Sequence, residues 1–107
     1  MQVLLYYLYF PLEEPELYMK EHRALCEELG LLGRILLSDE GINGTVSGTI
    51  KNTEAYMAAL KGDPLTAQIE FKIDPCEEHL FPKLSIKVRS EIVTLGLPDE
   101  ATSIPMN

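Results

Sequence analysis

The chain alternates between short apolar runs, which predict strands, and two stretches with helical periodicity. Residues 3–10 are apolar at nearly every position, and Pro11 ends the run. This pattern is expected of a central strand that is at least partly covered on both faces. A helix is predicted from Pro15, because proline lacks only an N–H that would be unpaired at a first helical position, and Gly30 ends it. The predicted apolar stripe of this helix comprises Leu17, Tyr18, Ala24, Leu25 and Leu29.

A hairpin and a second helix follow. Residues 33–38 predict a second strand, residues 39–41 a turn, and residues 42–50 a third strand with strict alternation. Gly44 and Gly48 lie on its apolar face and indicate a helix lying close against the strand. The other face is uncharged and rich in hydroxyls, with Asn43, Thr45, Ser47 and Thr49. Either Asn52 or Thr53 is expected to cap the second helix, whose core candidates are Tyr56, Met57 and Leu60.

Two further alternating segments complete the pattern, at residues 68–74 and 84–89. In the first of them Ile69, Phe71 and Ile73 are expected to point inward. The order is therefore β-α-β-β-α-β plus one strand. With right-handed crossovers it predicts an α+β fold, a ferredoxin-like βαββαβ sandwich with two helices on one face of an antiparallel sheet and an extra C-terminal strand. We expect one domain over residues 1–96 and a flexible tail over 97–107.

The charge of the chain is strongly acidic but unevenly distributed. Nine Lys+Arg against 17 Asp+Glu give a net charge of −8, which disfavours non-specific binding of nucleic acid by the whole surface. Residues 79–89 nevertheless contain Lys83, Lys87 and Arg89 and no acid. This stretch either contacts a polyanion or supplies the solvent-facing positions of one strand.

The sequence contains no recognisable membrane span, signal peptide or metal-binding cysteine pair, and these absences guide the expected compartment and the state of the cysteines. The apolar runs are far shorter than the ~20 residues that span a bilayer. No signal peptide is recognisable, so we expect a cytoplasmic protein without a membrane partner. Cys26 and Cys76 have no partner at metal-ligand spacing. Free thiols are favoured, and a single disulfide stays open as the alternative.

No complete set of catalytic groups is recognisable. Acylphosphatases share this strand order but need backbone donors and an arginine after the first strand to hold a phosphate. Here the loop 11–16 has two prolines and three glutamates, which excludes that activity. Cys76 with His79, or His79 with Glu77 and Glu78, are better explained as solvated loop residues than as a nucleophile or a metal site. We therefore expect no catalytic residue, no metal and no cofactor in this chain.

The most distinctive local string is Glu40-Gly41-Ile42-Asn43-Gly44-Thr45, around a tight hairpin in which glycine permits positive φ. It is either a turn that contacts a ligand or partner domain, or simply a well-specified hairpin.

Together with His79-Leu-Phe-Pro82 and Glu91-Ile-Val-Thr-Leu-Gly96, this string resembles the N-terminal domain of the rhodanese-related tRNA uridine hydroxylases. The resemblance runs from about residue 3 to residue 96. It implies a cytoplasmic enzyme that hydroxylates the wobble uridine of certain tRNAs with molecular oxygen. In that family an acylphosphatase-like domain precedes a rhodanese domain, and the reactive cysteine lies in the latter. Neither Cys26 nor Cys76 can correspond to it, so no catalytic residue carries over.

Three hypotheses follow. The domain assists tRNA binding, with Lys83, Lys87 and Arg89 on phosphates and Phe81 stacked on an unpaired base. Alternatively it is a docking module without RNA contact, whose polar strand face (Asn43, Thr45, Ser47 and Thr49) packs on the rhodanese domain and shapes its active site. The domain-contact motif then comprises Glu40, Gly41, Asn43, Gly44 and Thr45. The third and least favoured is an independent small hydrolase. The implied partners are tRNA and the rhodanese domain of the same protein.

Overall fold

The computed structural model describes residues 1–90 and contains there five strands and two helices in the predicted order. The elements are β1 (Gln2–Tyr9), α1 (Pro15–Glu28), β2 (Leu32–Ser38), β3 (Gly41–Gly48), α2 (Ile50–Lys61), β4 (Glu70–Pro75) and β5 (Leu84–Val88). The motif at 91–96, the predicted boundary at residue 96 and the tail 97–107 lie outside the described residues.

The five strands form one sheet in the order β4-β1-β3-β2-β5. Neighbouring strands among β4, β1, β3 and β2 are antiparallel, which is the ferredoxin-like arrangement and confirms the predicted α+β class. The additional strand β5 lies parallel to β2 at the far edge, with Ile86 opposite Ile35. The sheet is therefore mixed and not purely antiparallel.

Both helices pack on the sheet face that carries Leu4, Tyr6, Ile35 and Val46, all of which are buried. Tyr56 of α2 lies at the centre of this layer and is fully buried. Most of the apolar surface removed from water is concentrated between this face and the helices, which makes it the main source of stability.

The stripe predicted for α1 is rotated in the structure. Its buried residues are His22 and Cys26, whereas Leu17 is 51% exposed. Tyr18, Leu25 and Leu29 are partly buried beside them, as predicted. The rotation follows from His22, a polar residue that packs inward and that a hydrophobic pattern does not count.

The start of α2 also differs from the prediction. Thr49 is the N-cap, and its hydroxyl accepts the N–H of Asn52 at 3.1 Å. Asn52 and Thr53 therefore lie inside the first turn, and the Thr53 hydroxyl donates back to the Thr49 carbonyl at 2.9 Å. Strand β3 ends at Gly48, one residue before the cap, so the connection between strand and helix is immediate.

The close approach at the two β3 glycines has two different causes. A Cβ at Gly44 would lie 2.5 Å from the Tyr6 hydroxyl, so the space there is taken by a neighbouring strand's side chain and not by a helix. A Cβ at Gly48 would lie 2.6 Å from Leu31 and 3.6 Å from Thr53 of α2. The helix predicted against the strand is thus found only at Gly48.

Burial of the apolar residues decreases along the edge strand β4. Ile69 is buried and Phe71 is partly buried, as predicted. Ile73 lies opposite Leu4 and so faces the helix side as predicted, but it is 47% exposed because β4 is an edge strand. Cys26 is buried, Cys76 is partly exposed, and both are free thiols. No helix among the described residues is long and apolar enough to cross a membrane.

Candidate nucleic-acid interface

The sheet face opposite the helices is partly uncovered, and it is called the open face below. The strand register places its side chains in rows, since Cα partners on neighbouring strands project to the same side. One row consists of Lys72, Leu5, Thr45, Arg34 and Ser85, and the next of Glu70, Tyr7, Asn43, Leu36 and Lys87. Residues from all five strands therefore share one surface.

Strand β1 exposes three large apolar side chains on this face. Leu5 is 38%, Tyr7 58% and Tyr9 54% exposed. The cover predicted for both faces of β1 is therefore missing at these positions, because both helices lie on one side of the sheet. The rings of Tyr7 and Tyr9 meet edge to face with centroids 6.3 Å apart, so they form one aromatic surface.

One end of the open face is covered by the connection from β4 to β5. These strands lie at opposite edges, so residues 76–83, called the crossing segment below, must pass over the sheet. His79 Nδ1 lies 2.9 Å from the Ser47 hydroxyl, and Ser47 is fully buried. Val3, opposite Ser47 in the register, is also buried. The crossing segment thus closes this end and leaves the rows of Leu5 and Tyr7 open.

The predicted basic and aromatic residues meet this face in different ways. Lys87 lies opposite Leu36 and projects onto the open face. Lys83 and Arg89 are exposed at the two ends of β5. Phe81 is half-buried and belongs to the crossing segment.

The hairpin residues divide between the two faces. Asn43 and Thr45 lie on the open face, whereas Gly44 lies on the helix side against Tyr6. Gly41 is buried with φ +144, and a Cβ there would lie 2.1 Å from the Leu8 carbonyl oxygen. Glu40 donates its N–H to the Ser38 hydroxyl at 2.9 Å. Glu40 and Gly41 therefore have a demonstrable structural role in the turn.

Four open-face residues were not anticipated from the sequence, namely Tyr7, Tyr9, Arg34 and Lys72. The signal present in the sequence was the pair of tyrosines two positions apart, which places both on one side of a strand. Arg34 and Lys72 are isolated cations in their own segments. Only the strand order brings them to the same surface.

Charge is separated across the molecule. Arg34, Lys72 and Lys87 are exposed on the open face, where the described positions of β2, β3 and β5 carry no carboxylate. The carboxylates of that face are Glu70 and Asp74 on β4, and the exposed Glu77 and Glu78 lie in the crossing segment at its closed end. The loop before α1 and the helix itself carry six glutamates: Glu13, Glu14, Glu16, Glu21, Glu27 and Glu28. The net charge of −8 therefore conceals a cationic region beyond β4.

A shallow depression of about 670 Å³ lies over β1, β3 and β4. Its lining includes Leu5, Tyr7, Asn43, Thr45, Glu70 and Lys72. Its walls therefore combine an aromatic ring, an aliphatic side chain, a hydroxyl, a cation and a carboxylate. Such a lining is suited to a flat group that carries polar edges.

The described residues form neither the phosphate-binding loop of an acylphosphatase nor a metal site. After β1, the N–H groups of Phe10 and Leu12 donate to the carbonyls of Glu40 and Asp39 at 2.9 and 3.1 Å. These donors are engaged within the fold, in agreement with the sequence argument against a phosphate cradle. Within residues 1–90 no group of His, Cys, Asp and Glu is arranged to hold a metal.

A buried polar cluster links the helices to the sheet. The Tyr56 hydroxyl lies 2.6 Å from His22 Nε2 and is also hydrogen-bonded to the Tyr6 hydroxyl. Burial lowers the pKa of His22 to about 4 and raises the pKa values of both tyrosines. All three groups are therefore neutral at neutral pH. They satisfy one another inside the core and belong to its packing.

A family model described as the UPF0176 acylphosphatase-like domain matches residues 1–92. The tRNA uridine(34) hydroxylase of Bacillus pumilus is 53% identical over 105 residues, which cover 98% of this chain and 33% of that protein. The protein of the same name from Lactococcus lactis is 50% identical, with the same coverage of both chains. The chain thus spans about a third of the length of these relatives.

Solved structures with the same fold are more distant in sequence. The BLUF protein BlrB in its dark state has a TM-score of 0.65 and 20% identity, covering 83% of this chain and 72% of that one. A bacterial light-regulated adenylyl cyclase has a TM-score of 0.69 and 17% identity, covering 84% of this chain and 27% of that one. At these identities the likeness concerns the fold alone. The family match and the relatives of about 50% identity show that the chain belongs to the UPF0176 acylphosphatase-like domain family and corresponds to the N-terminal third of relatives named tRNA uridine(34) hydroxylases.

Proposed function

We propose that this domain is a non-catalytic RNA-holding module that acts with the remaining two thirds of a tRNA uridine(34) hydroxylase. The observation that carries the proposal is the open face, where exposed tyrosines share one surface with cations from three strands and where the described β2, β3 and β5 carry no carboxylate. Lysine and arginine side chains bind phosphates and supply most of the affinity for nucleic acid, whatever its sequence. The high identity to tRNA-modifying relatives supports tRNA as the polyanion.

Charge separation supports this assignment over a general affinity for nucleic acid. The glutamates around α1 repel phosphate from the helix side, so RNA is admitted only on the opposite surface. Lys87, Lys83 and Arg89 extend the cationic region along β5, at the edge of the sheet. With few phosphate contacts and a net charge of −8, the affinity of this domain is weak and falls steeply with salt.

The test is tRNA binding by the 107-residue chain and its charge-reversal variants, measured by fluorescence anisotropy over a range of salt concentrations. Lys87→Glu with Arg89→Glu should lower affinity and reduce the salt slope by about 1 for each phosphate that is no longer neutralised. Lys51→Glu with Lys61→Glu is the matched control, since it reverses two exposed charges on α2. Unchanged binding in the β5 variant at low salt would contradict the proposal.

A second candidate function is docking, and one observation favours it. The Arg89 N–H donates to the Leu37 carbonyl at 2.7 Å, so the chain leaves β5 beside the hairpin that contains Glu40 and Gly41. The hairpin and Thr45 would then offer a contact surface to a domain that follows. Inter-domain contacts of moderate size are commonly polar, as this strand is.

Docking is separable from RNA holding in a full-length hydroxylase that carries this domain. Thr45→Lys would place a cation into a protein contact, so docking predicts lost hydroxylation with unchanged tRNA affinity. RNA holding predicts affinity equal to or higher than that of the unchanged protein, because the added charge attracts phosphate. Retained hydroxylation and retained domain contacts would exclude docking through this strand.

A further inference from the structure

Tyr7 and Tyr9 expose more than half of their surface although they lie on a central strand. Contiguous exposed apolar surface on a small protein commonly marks a binding site. Tyrosine rings on a sheet surface are suited to stack on nucleobases, since every base has a flat π-face. Because the rings are exposed, they contribute little to the core, and the packing of the fold does not account for them.

We propose that the open face holds unpaired nucleotides of an RNA strand, with bases stacked on Tyr7 and Tyr9 and phosphates along Arg34 and Lys87. This inference rests on the proposed RNA-holding function and specifies its ligand. The aromatic pair and the cations are on different strands of one surface. Each part of a nucleotide therefore has a complementary side chain.

The distribution of charge fixes the orientation of the strand. On β4, Glu70 lies opposite Tyr7 and Asp74 lies opposite Val3, with Lys72 between them, so the open-face side of this edge has a net negative charge that disfavours phosphate. Lys87 lies in the row of Glu70 and Tyr7 on the other side, at the β5 edge. The backbone therefore follows β2 and β5, and the bases point across β3 toward β1. The phosphates then lie beside the cations of β2 and β5, and the uncharged bases lie on the tyrosine side of the sheet.

The width of the sheet is compatible with this arrangement. Strand β3 separates β1 from β2 by two inter-strand spacings, about 10 Å across the sheet, and Arg34 lies in the row of Leu5, two residues along the strand from the row of Tyr7. That separation is comparable with the reach of one nucleotide from its phosphate to the far edge of its base. The depression beside Tyr7, with Thr45 and Asn43 in its lining, lies where a stacked base would present its polar edge.

An RNA duplex does not fit the same surface. Its bases are paired and stacked on one another, so they are not accessible to exposed tyrosine rings. Its deep and narrow major groove also excludes side chains that stand on a sheet. The crossing segment further limits the open face to the rows beyond Ser47. The face therefore selects single-stranded RNA over duplex RNA.

The experiment measures binding of the 107-residue chain to fluorescein-labelled oligouridylate and to a blunt RNA duplex of equal length. Four variants are compared: Tyr7→Ala with Tyr9→Ala, Tyr7→Phe with Tyr9→Phe, Arg34→Glu with Lys87→Glu, and Leu17→Ala. Leu17 is the matched control, an exposed apolar residue on α1. Tyrosine emission gives a second readout, since the chain has five tyrosines and no tryptophan.

The inference predicts that oligouridylate binds more tightly than the duplex and quenches tyrosine emission. The double alanine variant should lose at least about tenfold in affinity, as expected when base stacking is removed. The double phenylalanine variant and Leu17→Ala should bind as the unchanged chain does. The charge-reversal variant should lose binding to both RNAs.

Failure of the inference and failure of the proposed function give different results. If the alanine variant binds oligouridylate unchanged while the charge-reversal variant does not, the stacking inference is wrong and RNA holding stands. Equal affinity for duplex and single strand would overturn the inference in the same way. If the unchanged chain binds neither oligouridylate nor tRNA at low salt, both proposals are wrong, and the tyrosines then belong to a protein contact.

Discussion

His22 lies between α1 and α2 with only 4% of its surface exposed, and its Nε2 is hydrogen-bonded to the Tyr56 hydroxyl. Its ring stacks on Tyr18 with centroids 5.3 Å apart and meets Tyr56 edge to face. Protonation would place a charge in this apolar layer. The pKa of His22 is lowered by burial from 6.5 to about 4.

The consequence for stability has a definite sign and range. As the pH falls through 6.5, the unfolded chain takes up a proton at His22 while the folded chain does not, so the free energy of unfolding decreases. The loss continues until the pH reaches about 4, where the folded state is protonated as well. Each pH unit corresponds to about 1.4 kcal/mol. Between about pH 7 and pH 5 the domain should therefore lose about 2 kcal/mol.

Urea unfolding followed by circular dichroism at about pH 7, 6 and 5 measures this effect and stays above the range where most carboxylates titrate. With the slope expected for a small domain, the midpoint should fall by about 1 M. His22→Gln keeps a polar partner for Tyr56 without titrating, so its midpoint should be nearly independent of pH in this range. His79→Gln is the control and should retain the pH dependence. The same dependence in His22→Gln would refute the assignment to His22.

Three further predictions concern stability and are checked by the same unfolding measurement. Gly44→Val places a side chain against the Tyr6 hydroxyl and should lower the free energy of unfolding by more than about 2 kcal/mol. A loss below roughly 0.5 kcal/mol, the value at an ordinary surface site, would contradict the close approach. Thr49→Ala removes the cap of α2 and should cost about 1 kcal/mol, with Thr49→Ser close to the unchanged chain. Leu4→Ala removes a fully buried side chain and should lower the free energy of unfolding by about 2–5 kcal/mol. Leu80→Ala, at an exposed position, should change it very little. Equal effects of the two substitutions would contradict the assigned core.

The order and class of the elements could be predicted because burial imposes a local period on each segment. The alternation around Ile86, for example, requires only that one side of β5 faces the core. The coverage of β1 could not be predicted in this way. Tyr7 and Tyr9 look apolar in a pattern, yet tyrosine is stable in contact with water, so the sequence does not reveal which face stays open.

The candidate site was only partly predictable for a related reason. Lys87 was recognised because it lies in a contiguous basic stretch, 79–89. Arg34 and Lys72 are each isolated in the sequence and join Lys87 only through the strand order β4-β1-β3-β2-β5. The position of β5 beside β2 is a long-range pairing, and no local pattern specifies it. The burial of His22 is not predictable from its own segment, because its polar partner is Tyr56, 34 positions away.

The crossing segment and β5 have a consequence for how the domain folds and opens. Leu84 pairs with Gly33, 51 positions earlier, whereas the hairpin of β2 and β3 closes between Ser38 and Gly41. Since closing a long loop costs entropy before its contacts form, β5 is expected to join the sheet after this hairpin, as is the other edge strand β4, whose pairing with β1 spans 63 to 73 positions. Detachment of β5 would uncover the hydrogen-bonding edge of β2, an exposed edge on which another chain could pair. Strand β5 therefore protects the folded domain from aggregation through that edge for as long as it stays attached.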